Sequence, residues 1–357
     1  MFKVCRWDGE YRKCSDIINT ILTDEGYCCA FNKLPVNYSL RNYEEFANVY
    51  PTRIIDWNPE DGYPKRTPRD VYPFRSFAPG QNLGLSVVLD ANLNEYYCTT
   101  TSSIGFKALL STPIESPKMA DIGMLISPGE EIRVAIDVDI EDATTGVAGI
   151  HYSKRQCFFA RERKLRFYRI YTERNCRLEC EANFTLMRCG CAPYFLPRDQ
   201  STKVCGQKTE SCAEESKYII ERYSIERLKC NCLPACYEIN YMAVLTTVGK
   251  IKKKYDTVEE KFKGNVTAEY FAENMAVVHF YFSIDKFQKK TKSEMYGFPE
   301  FLSNTGGLLG LFLGFSFLSA VEVIYFLCLS NVCRYVTRRY SDKHKPRSEV
   351  VVYPYVN

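Results

Sequence analysis

Ten cysteines crowd between Cys157 and Cys236, in the order Cys157, Cys176, Cys180, Cys189, Cys191, Cys205, Cys212, Cys230, Cys232 and Cys236. No other feature restricts the fold so strongly, because every pair that closes ties two distant stretches together. Structural zinc usually takes Cys-x2-Cys knuckles, whereas these pairs are spaced Cys-x3-Cys and Cys-x-Cys, which favours disulfides. On a helix, Cys176 and Cys180 share a face about 6 Å apart. On an extended segment, Cys230 and Cys232 share a face about 6.6 Å apart. A helix beside an antiparallel return strand matches Cys176 with Cys232 and Cys180 with Cys230, a pairing that geometry permits without requiring.

The whole chain has 17 Cys and 3 His in 357 residues, a usage that belongs to an oxidising compartment. Three sequons, Asn37-Tyr-Ser, Asn183-Phe-Thr and Asn265-Val-Thr, agree with a glycosylated extracellular region. With 46% apolar and 25% charged residues the chain is not disordered, and a dispersed net charge of +4 gives no argument for nucleic acid. There is no Gly-x-Ser-x-Gly elbow, no His-Glu-x-x-His and no paired acidic motif, so no catalytic residue, metal or cofactor is expected and the chain does not read as an enzyme.

From Phe301 to Val321 there is no charge, which is enough for one membrane span. Arg334, Arg338, Arg339, Lys343, Lys345 and Arg347 follow, so the tail reads as cytosolic and residues 1–300 as extracellular. The opening MFKVCRWDGE has no apolar core of signal-peptide type, and the expectation is a chain lacking its natural N-terminus and an earlier membrane helix. Ser303, Gly307, Gly310 and Gly314 fall within a stripe of about 60° on an ideal helix, which lets membrane helices approach closely. Glu322 is a membrane carboxylate of the kind that faces water or a partner. A single helix cannot enclose water, so a conduit requires several chains.

Six stretches together resemble the degenerin/epithelial sodium channel family, above all its arthropod pickpocket branch. LTDEGYCCAFN (22–32) is similar to a finger signature and NLGLSVVLD (82–90) to a palm strand. CRLEC (176–180), RCGCAPYFLP (188–197) and CNCLPAC (230–236) are similar to the thumb, and FLSNTGGLLGLFLGFSFLSAVE (301–322) to the second transmembrane helix. The resemblance runs from about residue 1 to 335. It implies a pore-forming subunit of a trimeric, amiloride-sensitive, sodium-selective channel in the plasma membrane, multi-pass when complete, as a homo- or heterotrimer, with Na+ as the permeant ion. Gly314, Phe315 and Ser316 are then the selectivity filter at a non-helical break, and Ser303 is the gating position. Asn304, Gly306, Gly307, Gly310 and Glu322 line the pore or the block region. Pairings implied by the family are Cys157–Cys236, Cys176–Cys232, Cys180–Cys230, Cys189–Cys212 and Cys191–Cys205, with Cys5–Cys14 local. Cys28 is similar to a family cysteine whose partner lies upstream, which leaves Cys29 and Cys98 for each other. Glycosylation is expected at Asn37, Asn183 and Asn265.

The fold class that follows is an α+β membrane protein, with a cysteine-rich finger/palm/thumb ectodomain, a mostly antiparallel sheet and one transmembrane helix, the family's first being missing. Its regions are a finger (1–80), palm and connecting strands (81–150), a stapled thumb (151–236), returning palm (237–300), the pore-lining helix (301–333) and a cytosolic tail (334–357). Residues 83–89 and 275–284 read as buried strands. KLRFYRIY (164–171) and Cys176 to Leu186 read as helical, Lys286 to Lys292 as a solvated face, and the stretch from Pro51 to Pro79 as a long loop. The other reading is a truncated, non-conducting regulatory subunit or single-pass receptor-like glycoprotein.

Overall fold

LSVVLD and MAVVHFYF carry the β-branched and aromatic side chains that suit a pleated buried surface. In the computed structural model they form strands Leu85–Asp90 and Met275–Phe282, side by side and antiparallel. Residues 1–41, 50, 52–97, 102–222, 230–251, 266–314 and 316–343 are described. The chain divides into two units, Met1–Ser293 and Glu294–Asn357.

The first unit is built on a seven-stranded sheet. Its strands are β1 (Phe2–Trp7), β2 (Glu10–Arg12), β3 (Leu85–Asp90), β4 (Glu130–Ala143), β5 (Glu238–Lys250), β6 (Met275–Phe282) and β7 (Gln288–Lys292). The order is β5-β4-β6-β3-β1-β2, and β7 also pairs with β4. Neighbours run antiparallel except β4 with β6 and β4 with β7, which are parallel. β6 covers Glu131 to Ile136 of β4, and β7 takes over from Asp139 to Ala143, so one long strand carries two short ones in succession. Val134, Ala276 and Val278 are fully buried where β4 meets β6.

Against this sheet packs an aromatic cluster drawn from distant stretches. The Trp7 and Phe31 rings lie 4.8 Å apart and those of Tyr72 and Phe74 lie 5.2 Å apart. The Tyr72 hydroxyl donates to the Lys33 carbonyl at 2.8 Å. The proline-rich stretch is thus an ordered loop: Arg53–Ile54 pairs with Val71–Tyr72, and Trp57 is buried.

Nearby, the Lys33 ammonium is enclosed, although the residue as a whole is half-buried. Among the described residues its hydrogen bond is to the Thr112 carbonyl, at 3.1 Å. Burial pulls it down to about 7, with Glu115 opposing and Arg174 reinforcing the shift. A lysine lowered on folding costs stability below that pH, and the cost is relieved as pH rises from 7 toward its ordinary value. Lys33→Met is therefore expected to raise the melting temperature at pH 6.5 and to flatten its rise between pH 7 and 9, measured by thermal unfolding. An unchanged slope would remove Lys33 as its origin.

The helix expected over residues 164–171 is absent. KLRFYRIY is not helical: Leu165, Phe167, Tyr168 and Tyr171 are all buried in one core cluster, and Tyr168 bridges to Leu40. The cause lies in the neighbouring helix, Glu173–Cys189, where the Glu179 carboxylate accepts the amide N–H groups of Arg166 at 2.8 Å and Phe167 at 3.0 Å. A carboxylate that satisfies two backbone donors holds that segment extended across the helix. The helix itself has clear ends. Thr172 caps it by accepting the Asn175 N–H, and Gly190 closes it in the left-handed conformation.

Candidate functional site

The second unit holds the apolar run as two helices, not one. Phe298–Leu313 ends at Gly314, whose φ of +62° is readily adopted by glycine and is strained for most side chains. Ser316 then starts Phe317–Ile324: its hydroxyl accepts the Ser319 N–H at 3.3 Å, and the Ser319 hydroxyl accepts the Ser316 N–H at 3.4 Å. This reciprocal box satisfies two amide donors at the new N-terminus. The chain continues through a π turn, Tyr325–Leu329, into Ser330–Lys343. The 24 residues Phe317–Tyr340 are long and apolar enough to cross a membrane, at about 36 Å by helical rise. The expected limits at 301 and 333 do not coincide with these helix ends.

Ser303, Asn304, Gly306, Gly307 and Gly310 lie on Phe298–Leu313, and all are exposed. A Cβ added at Gly306 or Gly307 meets nothing within 4 Å. Leu311, Phe312, Phe317 and Leu318 are each more than 70% exposed, a density of bare apolar surface that calls for lipid or other chains around it. Glu322 is exposed on Phe317–Ile324, and Phe315 lies outside the described residues.

Six disulfides lie among the described residues of the first unit. Cys157–Cys236, Cys176–Cys232, Cys180–Cys230, Cys189–Cys212, Cys191–Cys205 and Cys5–Cys14 have Cα separations of 5.0 to 6.0 Å. Cys28 and Cys29 are unbridged among the described residues, and Cys98 lies outside them. The Cys28 sulfur sits 3.1 Å from the Thr23 hydroxyl. Asn37 and Asn183 are half-buried on short and long helices respectively, Thr185 of the second sequon is buried, and Asn265 lies outside the described residues.

At the Ala143 end of β4 two features meet. The fully buried Cys157–Cys236 bridge packs on Ala143 and Val147, and the Tyr237 hydroxyl donates to the Ala143 carbonyl at 3.0 Å. On the other side β7 is zipped on by charge: Lys289 pairs with Asp142, Lys290 with Asp139 at 2.6 Å and Lys292 with Glu141 at 3.6 Å. The Lys289 ammonium holds the Asp142 carboxyl below its usual range. The run of lysines at 286–292, read as a solvated face, is thus partly an edge strand. The acids of β4, Asp139, Glu141 and Asp142, were the signal for it.

Comparison with known proteins places these features in a family. The amiloride-sensitive sodium channel model matches residues 1–326. Pickpocket protein 28 of Drosophila melanogaster is 39% identical over 98% of this chain and 59% of its own length. Sodium channel protein Nach of the same organism is 26% identical over 90% of this chain and 56% of its own length. Human acid-sensing ion channel 2 is 26% identical over 70% of this chain and 48% of its own length. The chain therefore spans about half to three-fifths of these relatives.

Proposed function

The chain belongs to the amiloride-sensitive sodium channel family, a family of channels and not of enzymes, and from that premise we propose that it is a pore-forming subunit of a trimeric, sodium-selective channel of the plasma membrane. Its ectodomain is read as finger (1–80), palm (81–150 and 237–300) and thumb (151–236), and residues 301–333 as the pore-lining segment. The observation that carries the reading is the break inside an otherwise apolar run, where Gly314 closes one helix and Ser316 caps the next. By helix geometry the last carbonyls of the outer helix lack intrahelical donors. Such groups are not tolerated against lipid, and are tolerated where they line a watery path or are covered by protein.

In three copies, carbonyls around Gly314 and Phe315 and the hydroxyl of Ser316 supply a ring of oxygens that replaces part of the hydration shell of Na+. Asn304, Gly306, Gly307 and Gly310 line the path above it and form the site of amiloride block, and Glu322 attracts cations toward the inner mouth. Ser303 is small where three helices close on one another.

The test is voltage clamp of cells expressing the chain, alone and within the longest reading frame of its transcript. Inward current that disappears on replacing sodium with an impermeant organic cation, and is blocked by amiloride, supports the proposal. Ser303→Val is expected to give constitutive sodium current, because bulk at that position prevents closure. A silent Ser303→Val channel present at the cell surface would remove the gating role from this residue.

A further inference from the structure

A cavity of about 370 Å³ opens in the first unit between the 109–115 segment, the start of helix Glu173–Cys189 and strand β5. Its volume is in the range of small-molecule sites. Six polar residues line it from three separate parts of the chain: Ser111, Thr112 and Glu115, then Arg174, then Asn240 and Tyr241. Thr112 is 4% exposed, and its hydroxyl is buried with no hydrogen-bond partner among the described residues. A buried hydroxyl of this kind costs stability unless something pairs with it.

The two charged groups lie close enough to Lys33 to act on its ammonium, but neither is in contact with an opposite charge among the described residues. Among the described residues, neither the Glu115 carboxylate nor the Arg174 guanidinium makes a hydrogen bond or an ion pair, although both are half-buried. Elsewhere in this unit comparable side chains are paired, as Lys107 is with Glu25 and Arg166 with Asp199. The remaining wall is apolar, with Leu110, Met124 and Ile239 facing the same space. The cavity thus offers an acceptor for an ammonium, a forked donor for a carboxylate and an apolar surface between them.

We propose that this cavity binds a small amphipathic zwitterion, a free amino acid with an apolar side chain, its ammonium on Glu115, its carboxylate on Arg174 and its α-substituent against Leu110 and Met124. The Thr112 hydroxyl completes the polar contacts to the carboxylate. Binding here is independent of whether the chain conducts, so it is measured without current.

The test uses the full chain purified in detergent micelles, titrated separately with L-leucine, L-methionine and L-phenylalanine and followed by saturation-transfer NMR. Saturable binding of at least one of them is expected. 3-Phenylpropionate, which lacks the ammonium, and phenethylamine, which lacks the carboxylate, should each bind at least about tenfold more weakly than L-phenylalanine, from the strength of charge-assisted hydrogen bonds. Glu115→Gln and Arg174→Gln should each weaken amino-acid binding by a similar factor. Ile122 also lines the cavity and is 53% exposed, so Ile122→Trp fills the mouth without disturbing the core and should abolish binding. It decides the matter if either charge variant unfolds. No saturable binding of any of the three amino acids, binding undiminished in Ile122→Trp, or half-ligands as tight as the zwitterion would each overturn the proposal.

Discussion

Gly314→Val is expected to abolish the sodium current while leaving the protein at the cell surface. Gly314 ends the outer helix at φ +62°, a conformation that a β-branched residue adopts only as an outlier. Forcing it there costs on the order of 1–3 kcal/mol, and the chain escapes that cost by continuing the helix. A continuous helix turns Ser316 by about 160° away from the glycine stripe, at 100° per residue. The Ser316–Ser319 box is then lost as well. Gly314→Asn is the informative companion, because asparagine tolerates the left-handed region and should retain much of the current. Surface biotinylation alongside voltage clamp checks both. Normal, sodium-selective current in Gly314→Val would mean that the step at 314–316 is not the throat.

The second large effect concerns folding. Removing the Cys157–Cys236 bridge by Cys157→Ala and Cys236→Ala together is expected to stop maturation. That bridge spans 79 residues, which on the chain-entropy estimate stabilises the fold by about 4.5 kcal/mol. The 14-residue loop of Cys191–Cys205 gives about 3 kcal/mol on the same estimate. Both sulfurs of the first bridge are also completely buried against Ala143 and Val147, so their loss leaves a gap in a packed cluster. Against a total stability of about 5–15 kcal/mol for a domain, the long bridge is the one the unit can least lose. Limited proteolysis and surface expression should find this variant more damaged than Cys191→Ala/Cys205→Ala. Equal maturation of the Cys157→Ala/Cys236→Ala protein and the parent would show that the bridge is dispensable.

What the sequence revealed depended on how local the cause was. Strands at Leu85–Asp90 and Met275–Phe282 were legible because their own residues favour a buried pleat. The inner cysteine rungs were open to argument from spacing alone, since a helix face and an extended face match only in certain pairings. The segment 164–171 was misread because its conformation is decided by Glu179, eight or more residues further on. β7 was missed because lysines look solvated until the acids of β4 are set beside them. The cavity had no sequence signature at all: Thr112, Glu115, Arg174 and Tyr241 share no period and meet only in the folded chain. In the apolar run, glycine and serine at 314 and 316 pointed to a break, but which residue caps the new helix was visible only in the backbone.

The sheet also dictates when the first unit can be finished during synthesis. β6 lies between β3 and β4, so until residue 282 has left the ribosome these two strands present raw facing edges with no partner between them. Open strand edges attract foreign strands. The gap closes only some fifteen residues before the apolar helix at Phe298 begins, so these edges stay open through almost the whole synthesis of the first unit.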